Sequence, residues 1–403
     1  MGIRRLIFWT HLAIGLFVGI VVLIMSVTGV ILTYDLQLTD WANGDYRRTP
    51  AEGETPLPVE AIVERLAEAR DGQRPASISF RNDPAAPATA SFGRRQTLFV
   101  DPYTGEVLGD GNGRVRAVMS WAMGWHRWLG REGDGRAIGR HITGACNLGF
   151  AFLVVSGLYL WWPKRLRWGA FRQVLWFRRG LSAKARDWNW HHVIGFWSAL
   201  PLLFVVLTGV VISYPWAGDL LRRATGGPEP AESAAPQASV ARATDDAAGV
   251  EATPGSPLAG IDAALARART QAGDWNTISL RIPESGAAPL EVTIDRGNGR
   301  QPQLRTRLTL DRAGHVIGTE GFGDLPVYSR ARSVVRFGHT GEMGGFIGQT
   351  VAGLVTAGSV VLVWTGLALT FRRLVLAPLR ARRRRVTTRS ATEADAEPEP
   401  QTA

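Results

Sequence analysis

The side chains with the widest chemical reach in this chain are its seven histidines: His11, His126, His141, His191, His192, His315 and His339. Neutral imidazole ligates metals and metal-bearing cofactors, and which residues can do so depends on where the rings are placed. His11 and His191 stand inside long apolar stretches, where an ionisable or ligating side chain is a functional candidate by default. At roughly 1.5 Å per helical residue, His11 lies about 9 Å beyond Arg5, just inside one face of a bilayer. His126 and His339 each precede an apolar stretch, following segments (Val118–Trp125 and Ser333–Gly338) suited to a membrane interface.

The elements that must position these histidines are legible in the charge distribution. The chain has 403 residues, 45% of them hydrophobic, with 46 Lys and Arg against 35 Asp and Glu, a net +11. Four stretches lack any of those charges: Leu6–Tyr34, His141–Trp162, Trp188–Gly218 and Met343–Phe371. Each exceeds the roughly 20 apolar residues that cross a bilayer core. The pattern is that of a four-span membrane protein and excludes a soluble globular protein, a disulfide scaffold and a free nucleic-acid binder. Cys146 is the only cysteine, so no intrachain disulfide forms, and it reads as a small residue within span two. The basic residues fall on one face. They are Arg4 and Arg5, eight between spans two and three from Lys164 to Arg186, and seven from Arg372 to Arg385. Those seventeen leave the rest of the chain at a net −6, so the charge reports topology. Both termini are expected in the cytoplasm, with the segments at about 35–137 and 219–340 on the periplasmic side of a bacterial inner membrane. The first apolar run is far longer than a signal-peptide core and has no A-x-A site, so it is expected to stay as an anchor.

The halves of the chain repeat. His11-Leu-Ala-Ile-Gly15 is followed thirteen residues later by Thr28-Gly29-Val30, and His191-His-Val-Ile-Gly195 is followed thirteen later by Thr208-Gly209-Val210. Gly139 and Gly144 precede Ser156-Gly157-Leu158 at the spacings by which Gly348 and Gly353 precede Thr365-Gly366-Leu367. Both halves run in the same direction, which predicts a pseudo-two-fold along the membrane normal. Each also makes an extracytoplasmic excursion. The first offers a helix over Leu57–Arg70 and strands at Ala76–Arg81, Thr89–Phe92 and Gln96–Val100; the second offers a helix over Ile261–Arg269 and strands at Thr277–Ile282, Leu290–Asp295 and Gln303–Leu310. These patterns predict two small α+β modules.

The predicted order is a first span at 1–36, a module at 37–113, an interfacial segment with the second span at 114–163 and a basic loop at 164–187. The third span at 188–218 precedes a Gly/Pro/Ala/Ser-rich disordered linker at 219–257, a second module at 258–324, an interfacial segment with the fourth span at 325–373, and a tail at 374–403. The fold class is therefore a mainly α membrane protein, four transmembrane helices in two pseudo-symmetric halves, each with a small α+β domain.

Several motifs resemble the PepSY-associated transmembrane protein family, which includes siderophore-iron reductases of the inner membrane. They are the H-x-x-x-G spans His11–Gly15 and His191–Gly195, His126-Arg-Trp-Leu-Gly130, Ser156-Gly-Leu-Tyr-Leu-Trp-Trp-Pro163 and His339-Thr-Gly-Glu342. The PepSY turn Asp-Pro-x-Thr-Gly-Glu is intact at Asp101–Glu106 and degraded at Asp311–His315. The resemblance covers about residues 5–375 without the linker. With the repeat, it points to two haem b groups. His11 and His191 would hold the iron of one near the cytoplasmic leaflet, and His126 and His339 that of the other on the far side. His192 and His141 have no repeat-equivalent histidine and stand in reserve, and His315 is expected at the surface. Gly15, Gly29, Gly157, Gly209 and Gly366 suit either a macrocycle against the backbone or ordinary helix packing; the tryptophans form interfacial belts.

The resemblance implies a membrane reductase that passes electrons to a ferric siderophore in the periplasm, at a surface lined by Trp125, Arg127, Arg336 and Glu342. The chain has no Walker A, H-E-x-x-H, G-x-S-x-G or G-x-G-x-x-G site, so its electrons must come from a cytoplasmic reductase or a membrane quinol. The alternative is a non-enzymatic module that holds or regulates a periplasmic protein. A transporter has little support, because the spans contain no Asp, Glu, Lys or Arg to relay a cation.

Overall fold

The four charge-free stretches become four long helices, because a chain in lipid must satisfy its backbone polar groups within itself. The computed structural model describes residues 2–93, 96–163, 167–228 and 256–379. In chain order the helices are α1 (Ile3–Leu32), α2 (Asp35–Ala42), α3 (Val59–Glu68), α4 (Gly113–Trp128), α5 (Gly135–Trp161), α6 (Trp168–Leu175), α7 (Ala183–Ser213), α8 (Pro215–Ala224), α9 (Ile261–Ala272), α10 (Val327–His339) and α11 (Gly345–Phe371). The strands are β1 (Ser77–Arg81), β2 (Ala88–Phe92), β3 (Gln96–Val100), β4 (Val107–Gly109), β5 (Thr277–Arg281), β6 (Leu290–Asp295), β7 (Arg305–Leu310) and β8 (Val316–Gly321). Helices α1, α5, α7 and α11 are long and apolar enough to cross a membrane, and this is a membrane protein. The chain divides into two compact units, one within Met1–Val30, Gly124–Val210 and Gly353–Ala403, the other within Ile31–Met123 and Val211–Ala352.

The membrane unit is held together by close helix contacts and a few polar clasps. A Cβ at Gly149 would stand 3.0 Å from Val18 and one at Gly358 3.1 Å from Ile194, so these glycines let α5 approach α1 and α11 approach α7. Asn147 Nδ2 donates to the Val206 carbonyl at 2.9 Å, and Ser359 Oγ to Ser26 Oγ at 2.7 Å, two buried interhelical bonds. At one end of the bundle, Arg4 Nη2 donates to the carbonyls of Leu160 and Trp162 at 2.7 and 2.8 Å. A guanidinium there satisfies acceptors left over at the end of α5. Arg372 pairs with Asp187 at 2.7 Å and joins the ends of α11 and α7.

In the second unit the expected strands form a single sheet. All eight lie in the order β4-β3-β2-β1-β5-β6-β7-β8, every neighbouring pair antiparallel. The join is β1 against β5, with Ser77 opposite Arg281 and Ser79 opposite Ser279, whose hydroxyls bond at 2.8 Å. Two separate modules would each leave an unpaired edge there; pairing removes both. One sheet face is covered by α3 and α9. Ile62, Val63 and Leu66 meet Ile261, Leu265 and Ala268 over Ile78, Ile278, Val292 and Leu308 in one continuous core. Asp262 of α9 accepts the backbone N–H of Val59 at 2.7 Å, supplying a carboxylate to the amino end of α3.

Strands β4 and β8 are additions to the expected set, each following a glycine turn. In the first, Asp101 Oδ1 accepts the Tyr103 N–H at 2.8 Å and Gly105 takes a φ of +72°, which favours glycine. In the second, Gly314 has a φ of +85°, and the backbone N–H and ring of His315 hold the Asp311 carboxyl below the ordinary carboxylate range. Helix α8, opened by Pro215, occupies the start of the expected linker. The remainder of that linker at 229–255, Lys164 and Arg165 of the basic loop, and the tail from 380 lie outside the described residues.

Candidate functional site

In the membrane unit His11 projects from α1 and its Nδ1 lies 2.8 Å from Ser156 Oγ. Ser156 donates its one hydroxyl hydrogen to the Phe152 carbonyl at 2.6 Å, as a serine within a helix commonly does. The serine oxygen must then accept, so His11 carries its proton on Nδ1 and presents the Nε2 lone pair. Helix α7 repeats the device. His191 Nδ1 lies 3.1 Å from the Leu362 carbonyl and 3.0 Å from Thr365 Oγ1, and Thr365 donates to the Val361 carbonyl at 2.7 Å. A carbonyl only accepts, so His191 too is protonated at Nδ1. His126, on α4, follows the same rule: its Nδ1 lies 2.9 Å from the Met25 carbonyl and 3.2 Å from Thr28 Oγ1, with Thr28 donating to the Ile24 carbonyl at 2.7 Å.

Each of the three rings also rests on a glycine. A Cβ at Gly157 would come 3.3 Å from His11 Cε1, and one at Gly366 would come 3.4 Å from His191 Cε1. A Cβ at Gly29 would come 3.4 Å from His126 Cε1 and 3.1 Å from Thr356 Cγ2. The space these glycines leave is taken by imidazole edges, a role distinct from both expected ones. Ser156 and Thr365 immediately precede two of these glycines, and Thr28 precedes the third. These hydroxyls are in the sequence as repeat markers; their bonds to histidine become visible only once the helices are packed.

His11, His191 and His192 lie within electrostatic range of one another. The ring of His192 is 6.2 Å from that of His191 and 4.0 Å from that of Trp188, whose carbonyl accepts from its Nδ1 at 2.8 Å. His126 belongs to the membrane unit and His339, half-buried at the end of α10, to the sheet unit. His141 is exposed on α5, and His315 is exposed with its ring bonded to Asp311 at 2.9 Å.

Of the residues expected to line an acceptor surface, Arg127 and Arg336 are exposed and Trp125 is half-buried, packing against Gly130. Glu342 departs from expectation. It is 2% exposed, and its carboxylate accepts from Arg300 at 2.6 Å and from Thr340 at 2.6 Å. Arg300 also pairs with Asp35 at 2.9 Å. Glu342 therefore serves as an internal tie of the sheet unit. Its partners stand 42 and 2 residues away in sequence, and nothing local marks the longer link.

The donor set can be tested against the cofactor that the motifs imply. Among the described residues no group of three or more His, Cys, Asp or Glu could hold a bare metal ion. A haem would instead ask the protein for neutral, correctly oriented imidazole nitrogens as ligands to its iron. Imidazoles whose Nδ1–H donates to carbonyl and hydroxyl acceptors suit that need, since the partner on one nitrogen fixes the tautomer that leaves the other to ligate. The imidazoles of His11, His191 and His126 are of the kind such a group would need.

No curated protein matches this chain. The model of the PepSY-associated transmembrane region matches residues 8–373, nearly all of the described chain and all four membrane helices. With that match added to the H-x-x-x-G helices and their seated imidazoles, the chain belongs to the PepSY-associated transmembrane family.

Proposed function

We propose that this protein is a haem b reductase of the bacterial inner membrane that passes electrons to a ferric siderophore on the periplasmic side. In this reading the chain is built as two pseudo-symmetric halves with PepSY-like domains outside the membrane, and both termini are cytoplasmic, as the seventeen basic residues on one face suggest. His11 and His191 ligate at the inner site, His126 and His339 at the outer. Haem b, when bound, supplies the one-electron ferric/ferrous couple. The chain's own residues hold the ligating rings in one tautomer, exclude water with apolar helix faces, and keep the two sites on opposite leaflets. The electron donor is a cytoplasmic reductase or a membrane quinol. The acceptor is the Fe(III) of the chelate, released as Fe(II) with the chelator left intact.

The observation that carries this reading is the Nδ1 partnership of His11, His191 and His126, which leaves each Nε2 lone pair available to ligate. A histidine kept only for packing gains nothing from repeat-related acceptors at the same nitrogen. The test is the visible spectrum of detergent-purified protein, oxidised and dithionite-reduced, with a pyridine haemochrome count per chain. Two low-spin b haems are expected, with one lost in His11→Ala/His191→Ala and the other in His126→Ala/His339→Ala. Absence of haem after expression with ample haem supply would reject the reductase.

A further inference from the structure

A second feature of the membrane unit is a groove of about 560 Å3 at the end of the helices that carries Arg4 and Arg372, between α7, α11 and the segment that precedes α7. Its wall is apolar: Phe177, Trp190, Ile194 and Val361. Its rim is basic: Arg178, Arg179 and Arg186. The wall is held in place from within. Asn189, 1% exposed, donates to the carbonyls of Gln173 and Trp176 at 2.8 and 3.1 Å and accepts the Arg178 N–H at 3.1 Å. Those three bonds pin residues 173–178 over α7, and Phe177 meets Trp190 edge-on at 6.3 Å.

The charges at the rim do not cancel. Arg186 lies over the Trp190 ring at 5.6 Å and shares one buried carboxylate, Asp187, with Arg372. Among the described residues no carboxylate pairs with Arg178 or Arg179, and both are exposed. Exposed Trp176, Trp188 and Trp190 mark this level as the membrane–water interface. A groove whose apolar wall continues down two spanning helices, with guanidiniums at headgroup depth, matches one class of molecule: phosphate at one end and hydrocarbon at the other.

We propose that this groove binds an acidic glycerophospholipid, with its phosphate between Arg178 and Arg179 and an acyl chain along Phe177, Trp190, Ile194 and Val361. A neutral quinone would use the wall and leave the guanidiniums without a role. Free phosphate would use the rim and leave the wall without one.

The test is native mass spectrometry of the full chain in neutral detergent, titrated with phosphatidylglycerol and with phosphatidylcholine. Phosphatidylglycerol should be retained at least tenfold better. In Arg178→Gln/Arg179→Gln it should fall to the phosphatidylcholine level, with the melting temperature in phosphatidylcholine unchanged. Phe177→Ala removes part of the wall while keeping every arginine and should weaken retention as well. Equal retention of the two lipids would overturn the proposal, as would a double arginine variant that binds like the wild type. Displacement by inorganic phosphate, or by a short-chain quinone to the same extent with and without the arginines, would also reject it. None of these readouts requires haem, so they stand apart from the reductase reading.

Discussion

His11 and His191, the two imidazoles of the proposed inner site, reach the same tautomer with unequal support. Nδ1 of His11 has one described acceptor, Ser156 Oγ at 2.8 Å, whereas Nδ1 of His191 is shared between the Leu362 carbonyl at 3.1 Å and Thr365 Oγ1 at 3.0 Å. A side-chain acceptor disappears on mutation; a backbone carbonyl does not. Positions that look equivalent in the repeat therefore differ in how much a single substitution can disturb them. Ser156 is the residue on which that ring's orientation depends, and Thr365 reinforces one that is already fixed.

The largest effect that bears on this comparison comes from the ligands themselves. His11→Ala and His191→Ala, singly or together, should each abolish the proposed inner haem in a haemochrome count, because one histidine of the pair would not hold it alone. If one single variant kept a full complement, His192 would be the ligand in its place. The next largest effect separates the two supports. Ser156→Ala leaves a half-buried N–H without its described acceptor, which costs about 1 kcal/mol, and loss of such a partner weakens metal affinity by about 10–100-fold. Haem retention under dilution should fall in that range. The midpoint potential of the inner haem should rise, since a less basic imidazole favours the ferric state less.

Thr365→Val should do less, below about 1 kcal/mol, because the Leu362 carbonyl keeps the proton on Nδ1. Thr365→Ser should restore the wild-type potential. Equal shifts in Ser156→Ala and Thr365→Val would refute the asymmetry while leaving haem ligation intact. A separate effect, on stability alone, is expected at the ring seats. A Cβ at Gly157 or Gly366 meets the imidazole at 3.3 or 3.4 Å, so each Gly→Ala should cost about 1 kcal/mol of thermal stability through crowding and to a similar degree. Unfolding of the two variants side by side checks this.

Much of the architecture was legible before any coordinates. Charge-free runs mark the spans because no unpaired charge is cheap in hydrocarbon, and alternation marks six of the eight strands because one sheet face is buried. The histidines proposed as ligands were chosen from their repeat spacing, and three of them, His11, His191 and His126, prove to have Nδ1 partners on neighbouring helices. The pairing of Ser79 with Ser279 was not, because strand edges carry no address for a partner 200 residues away. For the same reason Glu342, read as a surface group, proved to be buried: its neutralising Arg300 sits in a loop of the sheet. Ser156 and Thr365 were visible as spacers and invisible as acceptors.

The sequence by itself determined that four helices are long and apolar enough to cross a membrane, how the basic residues fall between them, and at what spacings the histidine motifs recur. Those properties depend on local polarity and period, which each residue carries wherever it lies. Only the tertiary structure decided that the strands form one sheet, that Glu342 is internal, and which ring nitrogen of each seated histidine holds the proton. Those outcomes depend on which donors and acceptors are brought within about 3 Å, a distance that chain order does not specify.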